Sequence, residues 1–91
     1  MSPERREQFQ LSILVVLDAN HSRFGLPLDA VTLHVSSYGF ARVTRDEVET
    51  ELDYLQEKGL TETAGKPLEP ANRAWKRTAA GRDYLAERNR A

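Results

Sequence analysis

Six side chains between positions 46 and 57 fall on one side of a single helical stretch and could act together on a surface. With successive residues turning about 100° around the axis, Asp46, Thr50, Asp53, Tyr54 and Glu57 lie opposite an apolar stripe, and Glu49 lies on its flank. None of the six is basic. Carboxylates at this density pair with ammonium and guanidinium groups, so the face suits a basic protein surface. The plainer use is also open: acids early in a helix complement its dipole, and the others keep a surface helix in water. A second set of residues is cationic. Arg42 and Arg45 precede or open the same helix, and Lys66, Arg73, Lys76 and Arg77 come later. Those are the groups that neutralise phosphates.

Catalytic chemistry is not expected. The chain has two histidines and no cysteine. It also has no glycine-rich phosphate loop and no cluster at metal-ligand spacing, so no catalytic residue, metal or cofactor is assigned. Glu49 and Asp53 are one turn apart, but nothing in their surroundings promises the burial that a general acid needs. His34 reads as a partly exposed helix residue and His21 as a loop residue. Trp75 reads as packing in a small core rather than as a stacking platform. The longest apolar run is Ile13–Leu17, far short of a membrane span or a signal core, so a cytoplasmic protein with no membrane contact is expected.

The elements that must hold these residues can be read in turn. Ser2-Pro3-Glu4 opens a first helix with a capping hydroxyl and a proline at the first helical position. Phe9, Ile13, Val16 and Leu17 line one side of it, and Leu11, Leu14 and Val15 widen the apolar surface. Polar residues from Asp18 to Ser22 end it. That width predicts burial on more than one side, and a homodimer through the first and last helices is the expected outcome. Phe24 to Leu28 has room for an edge strand of two or three residues. A second helix is predicted from about Leu28 to Ser37, with Gly39 in the turn that follows.

The third helix is the most completely specified. Thr44 and Glu47 form a capping box, Val48, Leu52 and Leu55 make the stripe, and Gly59 followed by Leu60 is a left-handed stop. Two helices joined by a short glycine-containing turn give a helix-turn-helix pattern. Beyond Gly59 the period changes. Leu60–Thr63 and Ala74–Thr78 are rich in strand formers, and the Ala64–Asn72 segment between them holds one glycine and two prolines. Thr78 then caps a closing helix from Ala79 to about Arg88. The 91 residues make one mainly helical α+β domain, ordered helix, short strand, helix, helix, strand, loop, strand, helix.

Charge is unevenly spread over a chain whose net charge is −1. From Thr44 to Thr63 there are seven acids against Arg45 and Lys58, whereas residues 64–91 carry seven bases against three acids. The chain is therefore dipolar, with an acidic middle and a basic end.

T-R-D-E-V-E-T-E-L-D-Y-L-Q-E-K-G-L (Thr44–Leu60) resembles the third helix of the winged-helix superfamily and its entry into the first wing strand. W-K-R-T-A-A-G-R-D-Y-L (Trp75–Leu85) resembles the second wing strand running into a closing helix through a T-x-x-G-x-x-Y-L turn. The size and the E-L-x-x-L-x-E-x-G-L phrase are similar to the small stand-alone winged-helix proteins of Mu-like phages. The resemblance implies a DNA-associated, transcription-regulator-like protein. Base contacts would fall to Arg45, Asp46, Glu49, Thr50 and Asp53, and backbone contacts to Lys66, Arg73 and Lys76. Arg42, Arg77 and the closing helix would add positive charge. The chain departs from this pattern in its third helix, where carboxylates would face phosphates at a cost of several kcal/mol. The alternative is a protein-interaction module in which Asp46, Glu49, Asp53, Tyr54 and Glu57 meet a basic partner.

Overall fold

The computed structural model describes residues 2–64 and 73–88. Among these residues, four helices and three strands follow the expected order: α1 (Pro3–Ala19), β1 (Leu26–Pro27), α2 (Leu28–Ser36), α3 (Arg45–Glu57), β2 (Thr61–Thr63), β3 (Ala74–Arg77) and α4 (Ala79–Arg88). The protein is a mainly helical α+β domain with a three-stranded antiparallel sheet. The expected Gly65–Asn72 part of the wing, with Lys66, lies outside the described residues.

Each helix end follows from its sequence. Ser2 Oγ accepts the Arg5 N–H ahead of Pro3 at the start of α1. Thr44 Oγ1 accepts the Glu47 N–H, and the Glu47 carboxylate accepts the Thr44 N–H in return. At the other end of α3, the Gly59 and Leu60 N–H groups donate to Gln56 and Leu55 carbonyls, each at 2.9 Å. Gly59 sits at φ 78°, so this is the full two-bond left-handed stop. It turns the chain so that Leu60 is buried in the same core as Leu55.

The strand order is β1-β3-β2, which places the late strand β3 in the centre. Leu26 pairs with Trp75, and Thr61, Glu62 and Thr63 pair with Arg77, Lys76 and Trp75. Pro27 is tolerated because β1 is an edge strand, where a missing N–H breaks no ladder. Trp75 is buried from this central strand, as the alternation Trp-in, Lys-out predicts.

Helix α1 packs against α2, α3, α4 and β3. That contact set accounts for its broad apolar surface. Phe9, Ile13, Leu14, Val16 and Leu17 are all buried within the chain, and Leu11 and Val15 pack against the same core. Much of the surface behind the expected dimer through the first and last helices is thus used within the chain, while Leu11 and Val15 stay half-buried. A central helix must be apolar on several sides, and periodicity cannot tell that from an interface.

Thr78 ties three elements together. Its Oγ1 accepts the Gly81 N–H at 2.9 Å and donates to the Gly59 carbonyl at 2.6 Å, while its N–H donates to the Leu60 carbonyl. One hydroxyl therefore caps α4 and fastens it to the stop of α3. Thr78→Ala is expected to cost about 1–2 kcal/mol, the range for a lost helix cap. Thr78→Ser, which keeps the oxygen, should recover most of it in a urea melt.

Candidate functional site

The outer side of α3 is built by its buried side. Val48, Leu52 and Leu55 are at most 1% exposed and set the rotation of the helix on α1 and α2. Asp46, Thr50 and Glu57 are consequently exposed, and Glu49, Asp53 and Tyr54 half-buried, on the opposite and flanking sides. The acids face outward as the spacing predicts, with one exception. Glu51 is turned inward and buried. Its carboxylate accepts the Arg6 Nε–H at 3.1 Å and the Gln10 amide at 2.9 Å. The Arg6 guanidinium is held above its ordinary pKa, first by the hydrogen bond to Glu51 and then by the carboxylate's charge. The signal for this was present in the sequence: Glu51 is one turn before Leu55 and so borders the stripe, and Arg6 and Gln10 are one turn apart on α1 beside Phe9.

The cations assigned to a duplex are placed differently from the expectation. Arg73 projects across to α3, where its guanidinium lies 3.2 Å from Asp53 and 3.7 Å from Glu49. It also stacks on the Trp75 ring, 4.7 Å from the centroid. Among the described residues its buried Nε has no hydrogen-bond partner. Lys76 pairs with Glu62, directly opposite it in the β2–β3 register, at 3.4 Å. Arg77 reaches Asp18 at the end of α1 at 2.9 Å, with only 16% of its side chain exposed. Arg45 pairs with Asp29 of α2. Arg42 is exposed and forms no ion pair among the described residues.

These contacts revise two expectations. Arg73, Lys76 and Arg77 do not form a free basic ridge, because each lies beside a carboxylate of its own chain. Glu49 and Asp53 are not wholly free to meet a partner, because Arg73 hydrogen-bonds Asp53 and lies 3.7 Å from Glu49. Pairing between residues 20 or more apart in sequence depends on which strand is central, and nothing local announces that. Tyr54 is likewise not an open anchor. The Arg6 guanidinium and the Lys58 ammonium both lie against its ring, 4.7 and 5.3 Å from the centroid. The acidic surface left open is Asp46, Thr50 and Glu57, with the outer edges of Glu49 and Asp53.

Beside it, at the start of α3, two shallow grooves share Glu47. One, lined by Arg6, Phe9, Asp46, Glu47, Thr50 and Glu51, runs between α1 and α3. The other lies under the α2–α3 turn and includes Arg5, Phe40 and Arg42. Among the described residues no three His, Cys, Asp or Glu side chains are grouped to hold a metal ion. No helix among them is long and apolar enough to cross a membrane. Compared with known proteins, the chain matches no family model, no curated protein and no solved structure.

Proposed function

We propose that this domain is a winged helix used as a protein-interaction module, which binds a basic segment of a partner through the exposed side of α3. The element order, the capped third helix after a glycine turn, and the β2–β3 pair behind it support the winged-helix reading. The observation that carries the function is the pairing of Arg45, Arg73, Lys76 and Arg77 with carboxylates of the same chain. Affinity for a duplex comes largely from cations that replace counterions on phosphates. Here those four cations would first have to leave carboxylates of their own chain, while Asp46 and Glu57 repelled the approaching backbone. The same two carboxylates attract lysine and arginine side chains.

A DNA-associated regulator of the small phage type is the second reading. The unpaired, exposed Arg42 favours it, with Arg45 beside it at the head of α3. One experiment separates the two. A labelled duplex and a labelled Lys/Arg-rich peptide are each titrated with the protein at about 50 and 200 mM salt. The peptide is expected to bind, more weakly at the higher salt, and to lose affinity by tenfold or more in an Asp46→Lys/Glu57→Lys variant. The duplex is expected not to bind at either salt. Duplex binding that falls steeply with salt and is lost in Arg42→Ala/Arg45→Ala would replace the first reading with the second.

A further inference from the structure

The groove under the α2–α3 turn has a composition of its own, independent of the outer face of α3. Its volume is about 350 Å³, at the small end of the range for pockets that hold small molecules. Phe40, buried to 7% exposure, and half-buried Val43 give it apolar walls. Two guanidiniums border it. Arg5 comes from the first turn of α1 and donates through Nη2 to the Gly39 carbonyl. Its guanidinium also lies over Phe40, 4.0 Å from the ring centroid, so its position is set by two contacts that involve no carboxylate. Arg42 comes from the turn itself and is unpaired among the described residues.

Among the described residues, Arg45, Arg73, Lys76 and Arg77 each lie beside an acid, whereas these two guanidiniums border one groove with no carboxylate ion-paired to either. The acid in the groove, Glu47, is held by the cap: its Oε1 accepts the N–H and the hydroxyl of Thr44 at 3.2 and 3.1 Å. A fixed guanidinium, a second free one and an aromatic wall suit a carboxylate carried on an apolar body, because arginine binds carboxylates through a planar fork.

We propose that the groove formed by Arg5, Phe40, Arg42 and Val43 binds an apolar carboxylate. Its source would be either a free small acid or the C-terminus of a peptide with an apolar last residue. Fixing Arg5 in advance removes part of the ordering cost of binding, which is how a shallow groove can retain such a ligand.

The test is an NMR titration of the full, isotope-labelled chain with phenylacetate, with 2-phenylethanol as the neutral control of matched shape. Phenylacetate is expected to shift the amides of Ala41, Arg42 and Val43, with an affinity at least tenfold above that of the alcohol. Arg42→Ala, which breaks no ion pair or side-chain hydrogen bond among the described residues, should weaken binding about tenfold, the worth of one charge-assisted contact. Glu47→Gln keeps an acceptor for the Thr44 cap and removes the one negative charge, so binding should tighten severalfold. A tripeptide ending in Phe, free or amidated, identifies the source. A free acid that binds more tightly than phenylacetate indicates a chain end, and one that binds no better indicates a small acid. Equal shifts from phenylacetate and the alcohol, no shifts from either, or an affinity unchanged in both Arg42→Ala and Arg5→Ala would overturn the site.

Discussion

Gly81→Ala lowers the stability of the domain by about 2–3 kcal/mol, as expected when a buried contact is overfilled. A Cβ at position 81 would collide with the Leu60 carbonyl oxygen and lie 3.5 Å from Leu14 Cδ2. The oxygen cannot swing aside like the end of a long side chain. It belongs to the backbone just past the stop of α3, and it already accepts the Thr78 N–H. Relief requires α4 to lift away from the Leu60 backbone and α1. Alanine's better helix propensity returns at most about 1 kcal/mol, which is too little to change the sign. For a domain of this size the melting temperature should fall by roughly 10–20 °C. Gly39→Ala is the control. Its φ of 94° strains any side chain, but nothing lies within 4 Å of the added carbon. Its cost should be confined to the strain of about 1–2 kcal/mol. Equal losses in the two variants would mean that α4 is not seated on Leu60 as described.

Gly81 also marks how far the sequence can be read. Its place in T-x-x-G-x-x-Y-L is visible, and so is Thr78 as a cap, because both are local. The capping box of α3, its Gly59 stop, the two-residue β1 and the order of all seven elements are legible for the same reason: each is written within a few neighbouring residues. The pairing of Arg73 with Asp53 and Glu49 is not. It depends on β3 becoming the central strand, with α3 on the side where Arg73 emerges, and that is a property of the assembled chain. An unevenness of charge along the sequence suggests two surfaces awaiting partners, whereas part of it is the two sides of internal ion pairs. The width of α1 likewise has a partner far along the chain. Leu14 answers a contact with α4, which begins more than 60 residues later. The Arg5–Phe40 contact, which fixes one wall of the groove, joins residues of α1 and the α2–α3 turn and has no local signature either.

The other large effect belongs to Trp75. Trp75→Ala should cost about 3–5 kcal/mol, the range for truncating a buried large aromatic. A domain of this length has on the order of 5–14 kcal/mol in all, so the variant should be partly unfolded near physiological temperature. The ring is 1% exposed on the central strand, where it pairs in register with both Leu26 and Thr63, so its loss opens a void beneath the whole sheet. Trp75→Phe distinguishes the ring from its nitrogen. Among the described residues the buried Nε1–H has no acceptor, and an unmade buried hydrogen bond costs about 1–3 kcal/mol. Phenylalanine removes that donor, keeps most of the apolar area and still offers Arg73 a ring to lie on. Its net cost should therefore be less than half that of alanine in a chemical melt. A phenylalanine variant as unstable as the alanine variant would show that the indole nitrogen is satisfied after all.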